Sequence, residues 1–331
     1  MKEFDLIKRA KLNALNGNIL DRESIIALLQ IDPESKECDF LGKAAREVAS
    51  IICKDRAYLW AAIGIDFKPC PMNCDFCSLG EKWGIVTEEN ELGDNEVIER
   101  VRQFVSQGVR WIVLRTTQFY SLDKLIELAG KIKKEVCGEY ELGLNAGEFD
   151  ESIAKRMAKE GLEFVYHTLR LREGINTRFD PAKRIVTLEA ISKSTLDLVY
   201  LIEPLGIEHT NEEIADALLS ALKYGAVVTG CMERVPVAGT PLGELPDISE
   251  RRLAQVIAVS RLAAGFHAPD ICVHRASKLA FEWGANVTVV ETGAIPRDAC
   301  CTLKEEWKGF TSETAKRWFE AKGYKVFQRR E

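Results

Sequence analysis

Cys70, Cys74 and Cys77 fall within eight residues, spaced C-x3-C-x2-C in Lys68-Pro69-Cys70-Pro71-Met72-Asn73-Cys74-Asp75-Phe76-Cys77-Ser78-Leu79-Gly80. Thiolates on a short loop can curl around a metal centre, and cysteines are the usual ligands of iron–sulfur clusters. Three ligands is the informative number. A cubane cluster has four irons, so three thiolates leave one iron open to a ligand that is not protein. Structural zinc is the rival, although it is usually closed by four protein donors. No fourth donor stands close by: the next cysteine is Cys137 and the next histidine is His167. Three plain buried thiols are the remaining reading.

Such a loop needs a rigid base. Trp60-Ala61-Ala62-Ile63-Gly64-Ile65 is an apolar run that reads as a buried strand, and Pro69, Pro71 and Asn73 keep the cysteine loop out of regular structure. From Ala57 onward strand-like runs alternate with amphipathic helical stretches. Strands are expected at 59–66, 111–116, 141–145, 164–169, 196–203, 226–231, 271–275 and 287–291. Helices are expected between them at 95–107, 122–135, 150–160 and 211–223, and Gly108, Gly161 and Gly225 close three of these. Parallel strands require helical crossovers. The pattern therefore predicts an α/β fold, a (β/α)8 TIM-type barrel with an N-terminal helical extension; a doubly wound open sheet is the alternative. The expected parts are the extension at 1–56, the barrel at 57–302 and a C-terminal helical tail at 303–331.

Before the barrel, Leu6, Ala10, Leu12 and Leu15, then Ile25, Ile26, Leu28 and Leu29, recur at helical spacing, with Asp21 as an N-cap. These helices are expected to cover the bottom of the barrel, and Cys38 and Cys53 within them read as structural thiols. With 331 residues the chain can bury a large core. Its hydrophobic and charged fractions, 46% and 29%, are those of ordinary globular proteins. A net charge of −6 argues against nonspecific attraction to nucleic acid. No apolar run approaches the ~20 residues of a membrane span, and the first residues lack a signal-peptide core. Ten cysteines without export signals favour a reducing, cytoplasmic setting.

Chemistry in such barrels sits where strands end. The cysteine loop comes after the first strand. Arg115-Thr116-Thr117-Gln118 ends the second, Asn145-Ala146-Gly147-Glu148 the third, and the segment from His167 to Glu173 the fourth. Glu203 to Thr210 ends the fifth, Cys231-Met232-Glu233-Arg234 the sixth and His274-Arg275 the seventh. Seven polar strand ends on one rim make a site.

The cysteine spacing, with aromatic Phe76 just before the third cysteine, resembles the signature of the radical S-adenosylmethionine (SAM) superfamily. The resemblance implies a [4Fe–4S] cluster whose open iron chelates the amino and carboxylate groups of SAM. One electron then cleaves SAM to methionine and a 5′-deoxyadenosyl radical that abstracts hydrogen from an unactivated C–H bond. From about residue 59 to 302 the chain is similar to the biotin synthase-like branch. That branch includes biotin synthase, hydrogenase-maturation and methylornithine-type enzymes and archaeal two-subunit lipoyl synthases. The supporting segments are Val235-Pro236-Val237-Ala238-Gly239-Thr240-Pro241-Leu242, the run from Arg251 to Arg261, and Trp283-Gly284-Ala285-Asn286.

Family roles carry over at some positions. Arg184, in Pro181-Ala182-Lys183-Arg184-Ile185, matches an arginine that pairs with the SAM carboxylate, a task suited to a guanidinium fork. Glu173 resembles a carboxylate near the SAM ribose or amine, and Phe76 would lean on adenine. Thr116 and Thr117 stand where many relatives carry Gly-Gly-Glu for the methionine amine, so hydroxyls or backbone carbonyls must substitute. His209 and His274 read as substrate or acid–base groups or as structural histidines, and Glu203, Glu208 and Arg275 are rim residues without a role.

The resemblance also marks departures. Biotin synthase holds a second cluster with cysteines at the ends of its second, third and fifth strands. Here those segments read Leu114-Arg115-Thr116, Leu144-Asn145-Ala146 and Leu201-Ile202-Glu203, so biotin synthesis is not expected. Cys272, matching by position the arginine that ligates that cluster, and the pair Cys300-Cys301 are expected to hold a second iron–sulfur cluster instead, with Cys231 as a fourth ligand or the position left to sulfide or substrate. The expectation is sulfur insertion of the lipoyl synthase kind. Hydrogenase-maturation or methylornithine-type chemistry, and a noncatalytic iron–sulfur scaffold or redox carrier, are the alternatives. Implied partners are a small-molecule or acyl-carrying protein substrate, an electron donor such as ferredoxin and a paired radical SAM subunit, with neither nucleic acid nor membrane.

Overall fold

The computed structural model describes residues 2–293 and 309–327. Three helices, α1 (Lys2–Leu15), α2 (Arg22–Leu29) and α3 (Lys36–Cys53), precede eight barrel strands. The strands are β1 (Arg56–Gly64), β2 (Trp111–Arg115), β3 (Glu141–Asn145), β4 (Phe164–Tyr166), β5 (Asp197–Val199), β6 (Ala226–Glu233), β7 (Asp270–His274) and β8 (Val287–Gly293). Each runs parallel to the next, and β8 returns to β1 in register from Val287 opposite Tyr58 to Gly293 opposite Gly64. The sheet is closed, which decides for the barrel over the open sheet. Helices α4 (Asp94–Ser106), α5 (Leu122–Glu135), α6 (Glu151–Lys159), α7 (Pro181–Ser192), α8 (Asn211–Lys223), α9 (Glu250–Ala264) and α10 (Lys278–Glu282) make the crossovers. The expected fifth strand is divided: after Val199 the chain pairs again with β6 at Ile202–Leu205 on a shifted register.

Alternation along the strands explains the two layers. Trp60 and Ala62, Trp111 and Val113, Phe164 and Tyr166, Val199 and Leu201, and Val287 and Val289 fill the barrel interior. Their neighbours Leu59, Ala61, Ile63, Ile112, Leu114 and Val290 pack outward against the helices. The cap expected at Asp21 is present, its carboxylate accepting from Ser24 N–H at 2.7 Å. Gly108, Gly161 and Gly225 take positive φ at the ends of α4, α6 and α8.

The N-terminal helices lie against α8 and α9, and α3 also reaches β1 and, through Cys53 Sγ, Pro269 O at 3.1 Å ahead of β7. The docking on α9 follows from its burial at every position from Leu253 to Ala264; a helix apolar all round must be covered on both faces. Its Gln255 Nε2 donates to the carbonyls of Leu28 (3.1 Å) and Ile31 (2.7 Å), tying the extension down. After the barrel, α11 (Ser312–Glu320) leads to Lys325–Val326, which pairs with the start of β1 at Arg56–Ala57. Among the described residues, no helix is long and apolar enough to cross a membrane.

Two segments that carried the family resemblance are structural. Asn286 is fully buried; its Nδ2 donates to Arg56 O (3.2 Å) and Asp270 Oδ1 (2.7 Å), and its Oδ1 accepts from Ile271 N–H (2.8 Å) and Arg261 Nη2 (2.8 Å). Arg261 also donates to Gly284 O at 3.0 and 2.9 Å and to Pro269 O at 2.5 Å. These bonds join the starts of β1, β7 and β8, at the end of the barrel away from the cysteine loop.

Candidate active site

The cysteine loop leaves β1 through Asp66–Phe67, which pairs antiparallel with Asn90–Glu91. It is closed on itself: Cys70 N–H donates to Leu79 O at 2.6 Å, and Glu81 N–H to Cys70 O at 3.1 Å. Asn73 adopts φ 43° in the left-handed region, which asparagine tolerates. Its amide ties Pro71 O (2.7 Å) to Lys82 N–H (2.9 Å). Trp83 donates Nε1–H to Cys74 O at 3.2 Å. Two other strand-end loops hold the motif from outside: Asp75 N–H donates to Asn176 O (2.9 Å), and Leu242 N–H, from the Val235–Leu242 segment, donates to Asp75 O (2.9 Å).

All three cysteines line one cavity of about 530 Å³, facing Thr116, Thr117, Gln118, Asn145 and Arg170. Phe67, Leu79 and Phe179 pack around the sulfurs. Burial pushes the Cys74 thiol up to about 12, against the pull of the Arg170 guanidinium. Among the described residues, no three His, Cys, Asp or Glu side chains converge on a single ion. The three thiols line one cavity at a strand end, the placement that ligands of an iron–sulfur cluster require.

A second cavity, about 880 Å³, opens inside the barrel mouth. Trp60, Ala62, Val113, Leu201 and Val289 form its apolar part, while Phe76, Asn145 and Arg170 belong to both cavities. Its charged groups are paired. Arg115 meets Glu291 at 3.2 Å, and His274 Nε2 approaches the other oxygen of Glu291 at 3.4 Å. Arg234 meets Glu208 at 2.8 Å, Glu233 meets Arg275 at 2.6 Å, and Glu203 meets Arg170 at 3.5 Å.

The cavities are joined by a chain of alternating groups across the mouth. Gln118 Nε2 donates to Glu148, and Glu148 pairs with Arg184 at 3.3 Å. Arg184 meets Glu173 at 3.3 Å, Glu173 meets Arg170 at 3.4 Å, and Glu203, beyond Arg170, accepts from the Tyr166 hydroxyl. Burial opposes the Glu173 carboxylate, yet Arg170 and Arg184 hold its pKa below the usual carboxylate value. Burial, with Arg170 beside it, pushes Arg184 down to about 10. Tyr166 is held well above the ordinary phenol value, first by burial and then by Glu203.

The expected site residues divide accordingly. Cys70, Cys74, Cys77, Phe76, Thr116 and Thr117 come together at the first cavity, and Thr117 is fastened by Asp66, which accepts its N–H at 2.7 Å and its hydroxyl. Arg184 and Glu173 are buried behind the wall and line neither cavity. Arg184 donates to Thr168 O at 3.0 and 2.5 Å. His209 accepts from Gly206 N–H at 3.1 Å, a loop-bracing role, and burial pushes its pKa down. Cys272 lies in the interior apolar layer one alternation below His274, and burial raises its thiol. Cys231 is level with Val273 and packs in the outer layer, so it is no fourth ligand beside Cys272. Cys300 and Cys301 lie outside the described residues. Sequence reasoning missed Trp60 and Tyr166 as cavity walls and Asp66 as the clasp on Thr117. Inward alternation with Ala62 was the available signal for Trp60.

No family model matches the chain. Among curated proteins it is similar to a biotin synthase from Neorickettsia sennetsu, 25% identical over 207 residues, covering 58% of this chain and 62% of that enzyme. A Parafrankia biotin synthase is 23% identical over 270 residues, 78% of this chain and 73% of the relative. One from Heliobacterium modesticaldum is 24% identical over 269 residues, 78% and 80% of the two chains. In fold it matches methylornithine synthase (PylB), with TM-score 0.77, 17% identity and 96% and 97% of the two chains covered. HydG, a maturase of the [FeFe]-hydrogenase, matches with TM-score 0.78, 14% identity and 98% and 76% coverage.

Proposed function

We propose that this chain, similar in sequence to biotin synthases and in fold to methylornithine synthase, is a radical SAM enzyme of the biotin synthase-like branch that inserts sulfur into an unactivated C–H bond of a neutral aliphatic chain, in the manner of a lipoyl synthase. Cys70, Cys74 and Cys77 would hold a [4Fe–4S] cluster, with SAM beside it in the same cavity. Bound together, these supply a one-electron reductant and a 5′-deoxyadenosyl hydrogen abstractor. The chain's own residues do the rest. Phe76, on both cavity walls, separates the cofactor side from the barrel interior. Arg170, also on both walls, offers its guanidinium to the SAM carboxylate, while Arg184 and Glu173 hold Arg170 from behind.

The observation that carries the substrate class is the pairing of charges around the inner cavity. Arg115, Arg234, Glu233 and Glu291 are each matched by an opposite charge, and the remaining wall is apolar. Burying an unmatched substrate charge there would be costly; an aliphatic segment enters favourably. Cys272, with Cys300 and Cys301, is proposed to hold the second iron–sulfur cluster that donates sulfur. The aliphatic chain is presented on a small molecule or an acyl-carrying protein, with an electron donor such as ferredoxin and a paired radical SAM subunit as partners.

The test is anaerobic reconstitution followed by reduction with SAM. The expected outcome is 5′-deoxyadenosine, about eight irons per chain and a sulfurated acyl product. About four irons with 5′-deoxyadenosine but no sulfurated product would replace this reading by maturation or methylornithine-type chemistry. Absence of SAM cleavage by the cluster-loaded protein would leave a scaffold or carrier.

A further inference from the structure

The inner cavity has a direction. Successive inward residues on a strand lie one step nearer the mouth. On β2, after β5 and on β8 the deeper lining residue is apolar and the next is charged: Val113 then Arg115, Leu201 then Glu203, Val289 then Glu291. A polar group taken to the apolar depth would lose water without gaining a partner. A molecule with one polar and one aliphatic end therefore enters with its aliphatic end leading.

Trp60 closes the deep end. Its side chain leaves β1 and reaches across the barrel to β4, three strands away. The indole stands 5.1 Å from the Tyr166 ring and 6.5 Å from the Phe164 ring, both edge to face, a favoured aromatic arrangement. Gly143, level with Phe164 on the intervening strand β3, gives that ring its place. A Cβ on Gly143 would stand 2.4 Å from it, so only a strand without a side chain leaves room. Farther from the mouth on their own strands, Trp111, Val199 and Val287 pack in the same apolar cluster as Trp60 and line no part of the cavity. The indole N–H has no hydrogen-bond partner among the described residues, so shortening this side chain strands no polar group.

We propose that Trp60 is the floor of the substrate cavity and a specificity-determining residue, which sets how long an aliphatic segment the barrel accepts, counted from the buried end. This rests on the reading of a neutral aliphatic substrate given above and adds the residue that limits its length.

Calorimetric titration of straight-chain primary amides, from butanamide to decanamide, into the cluster-loaded protein with SAM and no reductant tests it without turnover. Each methylene that still finds room should tighten binding about fourfold, until the chain meets the indole and affinity levels off. In Trp60→Leu the rise should continue to a longer amide, with iron content and the affinity of the shortest amide unchanged. Trp60→Phe keeps a ring against Phe164 and Tyr166; it should move the limit less, and it carries the test if Trp60→Leu does not fold. A limit at the same chain length in the unaltered protein and the folded variants would overturn the proposal and leave the substrate class intact. So would an affinity that climbs unbroken through the whole series in the unaltered protein. If no amide binds the unaltered, cluster-loaded protein, the neutral aliphatic reading falls and the floor with it.

Discussion

Cys231 and Cys272 stand one register position apart on neighbouring strands yet face opposite sides of the barrel wall. Cys231 is level with Val273 and packs outward, while Cys272 is level with Gly230 and packs inward. Strand alternation makes this separation unavoidable. Replacing Cys231 by Ala should therefore leave iron content unchanged. Cys272→Ala should lower it from about eight irons per chain towards about four if Cys272 holds the second cluster. Iron and sulfide assays on the reconstituted variants decide it; equal loss from both would contradict the facing of the two thiols.

Cys70, Cys74 and Cys77 share a cavity whose walls belong to a large core. Changing all three to Ala should abolish SAM cleavage and cluster absorption while leaving a folded barrel, because a core of this size needs no metal staple. Circular dichroism and 5′-deoxyadenosine analysis give the two readouts. Retained cleavage would remove the cluster from these residues.

Much of this was legible in the chain. Eight strand positions, the glycine stops and the three-thiol loop are local patterns, each fixed by a few consecutive residues. The illegible part depends on which distant loops meet. Arg184 has the sequence surroundings of a ligand-binding arginine, but its guanidinium is consumed by Thr168, Glu148 and Glu173. Arg170 looked like one charge among several at the end of β4; only closure of the barrel puts it on both cavities. The segment Trp283-Gly284-Ala285-Asn286 signalled the family through a stabilising role far from the chemistry.

That role makes a separate prediction. Asn286→Leu removes four buried hydrogen bonds and takes a partner from Asp270 and two backbone groups, while Arg261 keeps Gly284 and Pro269. Each unsatisfied group costs about 1–3 kcal/mol, so the variant should lose several kcal/mol of stability in chemical denaturation. SAM affinity of the folded fraction should be unchanged, since Asn286 lies at the far end of the barrel. A large drop in affinity with normal stability would contradict the assignment.

Glu173 ties stability to pH. Its folded pKa is lowered, so its contribution is present above the unfolded carboxyl value of about 4.3 and is lost as pH falls through the folded value. Glu173→Gln leaves Arg170 and Arg184 without their shared partner and should cost about 3–5 kcal/mol at pH 7. The gap between the variant and the unaltered protein should narrow in denaturation measured below about pH 4. A gap that stays constant down to pH 3 would show that ionised Glu173 does not hold the arginines.

Arg170 and Arg184 should separate when each is changed alone. Arg184 spends its guanidinium on a backbone carbonyl and two carboxylates, so Arg184→Gln should chiefly lower the melting temperature. The Arg170 guanidinium meets Glu173 at 3.4 Å and Glu203 at 3.5 Å and faces both cavities. Arg170→Gln should therefore weaken SAM binding, by about 2–5 kcal/mol if a buried ligand carboxylate loses its partner, with a smaller effect on melting. Arg170→Lys should restore little, because a single ammonium cannot reproduce the planar fork. Dialysis and thermal melts on the three variants give the comparison. If Arg184→Gln abolishes SAM binding at unchanged melting temperature and Arg170→Gln does not, the carboxylate belongs to Arg184, and Arg170 serves only the wall between the cavities.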